Sequence, residues 1–207
     1  MQNLIFDLDN TLYPRDLKIE AEFGNRTKDY LTSRLALNLA GEKFDWAEIS
    51  THIEEYLDRI FAGKEKERGT YLDYVCNVNV KGLKANPELE NCLKALPNPK
   101  FIFTDSTLEH VKDSLNVLEI DINQFKGIFG NKDSGFRFKA NPLSHRIFME
   151  KYHLEPRECW LFDDNPRNLL PAAQLGVKTV LITEQDRAEN AADYIFPDIL
   201  TALKQLF

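Results

Sequence analysis

The stretch that decides the fold runs from Cys159 to Ile182, "CWLFDDNPRNLLPAAQLGVKTVLI". Residues Cys159 to Asp164 read as a buried strand, an apolar run that stops abruptly at two acids. Asn165 then stands as a cap, Pro166 as the first residue of a helix through "PRNLLPAAQLG", and "VKTVLI" returns to strand character. A strand, a helix and a second strand within so few residues form a parallel crossover unit.

The same rhythm extends outward. A helix over "NPELENCLKAL", capped by Asn86 and opened by Pro87, precedes the strand "KFIFTD". A helix near Thr107–Leu118, a short strand near Gly127–Phe129 and a helix opening at Asn141-Pro142 follow, and "NLIFDLDNTLYP" (Asn3–Pro14) supplies the first strand. The expected fold class is α/β, a Rossmann-like parallel sheet with helices on both faces, with ligands bound beyond the carboxyl ends of the strands.

Residues 14–85 interrupt the rhythm. They are helical in pattern and rich in charge, with Ile19, Phe23, Tyr30, Leu31, Leu35 and Leu39 near helical spacing, then Trp46, Ile49, Ile53, Tyr56, Leu57 and Ile60. The expected organisation is a core of residues 1–13 and 86–207 with a small helical insertion, 14–85, after the first strand. "GKEKERG" (Gly63–Gly69) reads as a solvated charged loop or helix end.

Composition narrows the function classes. A net charge of −7 lacks the basic stripe that wraps nucleic acid. No apolar run approaches the ~18 residues of a membrane helix, and Asp7 and Asp9 fall where the apolar part of a leader would sit. A cytoplasmic protein without membrane contact is expected. Cys76, Cys92 and Cys159 are widely spaced, without metal-ligand spacing, and read as free thiols of a reducing compartment. Oligomeric state is not legible.

Three strands end in unusual residues: Asp7-Leu8-Asp9, Thr104-Asp105-Ser106 and Asp163-Asp164. In a parallel sheet these ends share one edge, so Asp7, Asp9, Asp163 and Asp164 converge there. Four ionised carboxylates require positive charge beside them. Hard oxygen donors without His or Cys favour Mg²⁺, and Lys139, just before a helix start, can reach the same edge. A phosphate group fits this set, with Thr104, Lys139 and backbone N–H groups around its oxygens and Asp7 left as nucleophile.

Asp7-x-Asp9-x-Thr11, Thr104, Lys139 and Asp163-Asp164 resemble, in order and spacing, the four motifs of the haloacid dehalogenase-like hydrolase superfamily. Two stretches, "FDDNPRNLLPAAQLGVKTVLI" and "NPELENCLKALPNPKFIFTD", are similar to its pyrimidine 5′-nucleotidase branch. The resemblance implies that Asp7 forms a covalent aspartyl-phosphate, that Asp9 protonates the leaving oxygen and later activates water, and that Lys139 assists catalysis. It also implies substrate binding by Thr104, Asp105, Ser106 and Lys139, a metal set of Asp7, Asp9 through its backbone carbonyl, Asp163 and Asp164, and a cap that closes over the leaving group. Because a halide needs no proton donor and an alkoxide does, Asp9 turns the expectation to a Mg²⁺-dependent phosphomonoesterase. The expected partner is a small phosphate ester such as a pyrimidine nucleoside 5′-monophosphate. A sugar-phosphate phosphatase, a phosphomutase and a non-catalytic binding protein of the same fold are the alternatives.

Several residues carry narrower expectations. Asp105 stands where a small residue is usual, and is expected to turn outward or cap the next helix. Asn168 is expected to hold Asp164 unless it is simply exposed. His52, His110, His145 and His153 are assigned to surface or core. Arg26, Lys28, Phe23 and Tyr30 are the candidate cap contacts, although aromatics at helical spacing are more often core.

Overall fold

The computed structural model describes residues 2–34, 53–184 and 192–207. Leu35, Leu39, Trp46, Ile49 and His52 lie outside the described residues. Among those described, six strands form one parallel sheet: β1 (Asn3–Phe6), β2 (Lys100–Phe103), β3 (Phe125–Phe129), β4 (Cys159–Asp163), β5 (Lys178–Ile182) and β6 (Tyr194–Phe196), in the spatial order β3-β2-β1-β4-β5-β6. The helices are α1 (Leu17–Asp29), α2 (Ile53–Ile60), α3 (Glu65–Val75), α4 (Pro87–Ala95), α5 (Leu108–Val117), α6 (Pro142–Tyr152), α7 (Pro166–Leu175) and α8 (Ile199–Leu206). This is the α/β, Rossmann-like architecture.

Chain order moves outward from β1 to β2 and β3, then returns to the other side of β1 for β4, β5 and β6. The reversal falls between β1 and β4, where an open α/β sheet leaves its ligand crevice. Pairing of Phe6 with Phe162 sets Asp7 beside Asp163 at that point, and the Asp7 N–H donates to the Phe162 carbonyl at 2.9 Å.

The strands are apolar on both sides because helices cover both faces. Phe103 stacks on Phe148 of α6 with ring centroids 4.8 Å apart, and Phe129 and Tyr152 meet Phe148 edge-on. Gly127 in β3 makes room for this packing, since a Cβ there would stand 2.3 Å from the Tyr152 ring. Asn86, Asn141 and Asn165 each cap a helix by accepting a backbone N–H, as the sequence predicts. Pro171 lies buried inside α7.

The chain divides into two compact units, Met1–Arg15 with Val80–Phe207, and Asp16–Asn79. The second is helical. Tyr30 packs edge-on against Tyr71 and tilted against Tyr74, and Tyr71 also meets Phe61. Arg26 donates from Nε to the Tyr74 carbonyl at 2.9 Å and lies over that ring, so it serves this unit's packing. Tyr30 is buried, Phe23 half-buried and Lys28 exposed. The charged stretch Gly63–Gly69 is not wholly solvated: α3 begins within it, and Arg68 and Gly69 are buried. The strand β6 and helix α8 are additions that the sequence pattern does not announce, because β6 is short and largely exposed. Among the described residues no helix is long and apolar enough to cross a membrane.

Candidate active site

The acids converge as the strand ends require, but they divide into two groups. Asp7, Asp163 and Asp164 offer carboxylate oxygens that all lie within 4.8 Å of one another. Lys139 bridges the first two, its Nζ donating to Asp7 Oδ1 and to Asp163 Oδ2 at 2.5 Å each. The lysine and Asp163 are fully enclosed, and Asp7 nearly so. Thr11 donates its hydroxyl to the other Asp7 oxygen at 3.3 Å.

The electrostatics follow from this enclosure. Burial drives the Asp7 carboxyl well above the usual range; Lys139 pulls against that, and Asp163, Asp164 and Asp9 add to it. Burial disfavours the Lys139 charge as well, but Asp163 and Asp7, with Asp105 behind them, outweigh it and hold the ammonium above the ordinary lysine range. Asp164 is pushed up to about 6, first by burial and then by Asp163, against Lys139 and a hydrogen bond from Asn10. One lysine therefore balances three acids incompletely. Raised carboxyl groups beside buried hard oxygens are the condition a divalent cation relieves, so these three residues fit one.

The supporting contacts correct several expectations. Asn168 donates to Asp163, at 3.0 and 3.3 Å to its two oxygens, and not to Asp164; Asp163 is the neighbour that α7 brings within reach of its first turn. Asp105 neither turns outward nor caps the next helix, a task that Thr107 performs. Its Oδ1 accepts the Lys139 backbone N–H at 2.8 Å, so the fifth acid anchors the lysine's main chain. His145, buried in α6, meets the Lys139 carbonyl through Nε2 at 2.8 Å and packs edge-on against Phe103. Burial lowers its pKa to about 4 and keeps it neutral.

Asp9 stands apart from the other acids. Its side chain lies outside the carboxylate cluster, so three acids converge where four were expected, because three donors turn it elsewhere; the metal contact expected of Asp9 is through its backbone carbonyl, which this turn of the side chain leaves open. Asp9 Oδ1 accepts from the Tyr13 hydroxyl at 2.5 Å and from His110 Nε2 at 2.7 Å; Oδ2 accepts from the Ser106 hydroxyl at 3.0 Å. Desolvation would raise Asp9, but these bonds, led by His110, hold it below the usual carboxyl range. Ser106 thus spends its hydroxyl on Asp9, while its N–H donates to Thr104 Oγ1 at 3.1 Å. From the sequence, His110 is assigned to surface or core with no part in the site, and Tyr13 is given no role. The spacing that signals them is Asp9 to Tyr13 and Ser106 to His110, each four residues, with Tyr13, Ser106 and His110 buried.

The comparisons bear on this geometry. A family model described as haloacid dehalogenase-like hydrolase matches residues 1–176. No curated protein matches. Among solved structures, 202 chains match. A haloacid dehalogenase-like family hydrolase from Streptococcus pneumoniae has a TM-score of 0.65 at 20% identity, with 100% of this chain and 99% of that one covered. The L-2-haloacid dehalogenase from Xanthobacter autotrophicus, solved with chloropropionic acid covalently bound, has a TM-score of 0.61 at 15% identity, covering 99% and 97%. At such identities the likeness is one of fold. Several further similar structures are of dehalogenases, and this overturns the expected phosphomonoesterase acting on a nucleoside monophosphate. That expectation rested on Asp9 as proton donor, and a carboxylate held ionised by three hydrogen bonds is a poor donor.

Proposed function

Because this chain belongs to the haloacid dehalogenase-like hydrolases, we propose that it hydrolyses a small anionic substrate in two steps, with Asp7 carrying the substrate as an ester between them. The observation that supports this most is the grip on Asp7: Lys139 holds one oxygen at 2.5 Å and Thr11 the other at 3.3 Å, so the carboxylate is aimed before substrate arrives. In the first step an Asp7 oxygen bonds to the electrophilic atom and the leaving group departs with its electron pair. In the second, water attacks the Asp7 ester carbon and loses a proton to Asp9, which its three hydrogen bonds keep ionised; the bond from that carbon to the product oxygen then breaks, and the product leaves with an original Asp7 oxygen and takes up that proton.

Lys139 and Thr104 are the proposed contacts for the substrate's anionic oxygens, and Asp105 supports Lys139 from behind. Asp7, Asp163 and Asp164 would hold a Mg²⁺ ion. When bound, that ion supplies the positive charge that draws an anion to this acidic edge and stabilises negative charge developing there. A leaving group that is stable without a proton matches an Asp9 that is held ionised. Halide is such a group, and the Xanthobacter dehalogenase bound chloropropionic acid covalently, so a 2-haloacid is the first substrate to try.

A single turnover of 2-chloropropionate by excess protein in oxygen-18 water tests this. The expected result is chloride release with heavy oxygen in the Asp7 peptide, since the product carries away an original Asp7 oxygen. Chloride release with heavy oxygen in the product and none in Asp7 would remove Asp7 as the nucleophile. No chloride from folded protein, with or without Mg²⁺, would remove the 2-haloacid.

A further inference from the structure

The three donors to Asp9 come from separate parts of the core. Tyr13 follows it by one turn of chain, Ser106 leaves the end of β2, and His110 lies in the first turn of α5, where its backbone N–H bonds the capping Thr107 hydroxyl at 3.2 Å. The anchors are enclosed and the held group is open: the His110 side chain is 1% exposed and that of Asp9 22%. A carboxylate oxygen only accepts, so His110 Nε2 carries the hydrogen in this bond. Tyr13 and His110 together occupy both acceptor positions of Oδ1. Ser106 takes one position of Oδ2, and the remaining acceptor position is on that oxygen.

We infer that His110 and Tyr13 are positioning residues, which fix Oδ1 of Asp9 so that Oδ2 keeps one orientation towards the water that opens the Asp7 ester. This rests on the hydrolase reading above. Neither residue touches the reacting atoms; each acts through Asp9. The enclosure of His110 and the partial exposure of Asp9 are what a support and its supported group require, because a base that rotates freely spends most of its time misdirected. The consequence falls on the second step: loosening Asp9 leaves ester formation on Asp7 intact and slows its breakdown.

The first readout needs no substrate. In protein labelled with carbon-13 at aspartate carboxyls, the Asp9 resonance is assigned by its loss in Asp9→Asn. It is expected as one narrow line in the parent protein. Tyr13→Phe and His110→Phe are expected to shift or broaden it, and His110→Gln, whose amide nitrogen can stand where Nε2 stood, to restore it. An unchanged line in both Phe variants, or a His110→Gln line no closer to the parent than that of His110→Phe, would overturn the proposal. Where His110→Phe does not fold, Tyr13→Phe carries the same test, since it removes one hydroxyl from a buried ring. With 2-chloropropionate, the Phe variants are expected to lose about tenfold or more in kcat with KM falling in parallel, so that kcat/KM is little changed, and to accumulate Asp7 ester. Failure of the hydrolase reading would silence turnover in the parent protein and leave the carboxyl line informative.

Discussion

Asp7 and Asp9 leave the same strand two residues apart and meet opposite surroundings. Around Asp7 the partners are charges: a bridging lysine and two further acids, of which Asp163 is fully enclosed and Asp164 half-buried. Around Asp9 they are two hydroxyls and an imidazole, at a position that still opens to solvent. One carboxyl is driven up and the other held down. The difference teaches that convergence of strand ends gathers acids together but does not decide their ionisation; the donors arriving from neighbouring elements do.

Breaking the pair one member at a time should separate these effects. Asp7→Asn is expected to lower turnover by about 10³-fold or more, because the nucleophile is gone. Its melting temperature should stay level or rise, since Asn lacks a charge that burial disfavours. Asp9→Asn should lower stability by about 1–3 kcal/mol, because Tyr13, Ser106 and His110 lose a charged acceptor. Urea unfolding of the two variants side by side checks the opposite signs, and a shared sign would break the comparison.

Lys139→Met removes the bridge from the Asp7 side. Two enclosed carboxylates lose their common cation, and a loss of about 3–5 kcal/mol is expected. Added Mg²⁺ should recover part of it if the three acids bind the ion, whereas Asp9→Asn should gain less from Mg²⁺. Calorimetric melts with and without MgCl₂ read both.

A pH-dependent effect concerns His145, which supports the Lys139 main chain. Its pKa is about 4 in the folded chain against 6.5 when free, so the unfolded chain binds the extra proton between those values. The stability it contributes is fully present above pH 6.5 and is lost as pH falls towards 4, roughly 3 kcal/mol across the window. In His145→Gln the slope of stability against pH over that window should be shallower. An identical slope would detach His145 from the Asp7 side.

Much of this molecule is legible in its residues, and the failures share a cause. Asn86, Asn141 and Asn165 cap helices because a cap is a local bargain between a side chain and the next few N–H groups. Lys139 could be chosen over its neighbours because it precedes a helix start. The contacts of Asn168, Asp105 and His145 were misassigned or missed, since each meets a residue from another element whose distance no spacing reports. The short strand β6 lacks the alternation by which a strand is recognised.

The sequence by itself determined the α/β class, the shared edge for its strand-end acids and the family, because apolar periodicity and residue order follow from chain connectivity. Only the tertiary structure decided which acids form the cluster and which one stands outside it. That choice depends on the register of β1 against β4 and on where the first turn of α5 delivers His110, and both are properties of packed elements that no single stretch of chain contains.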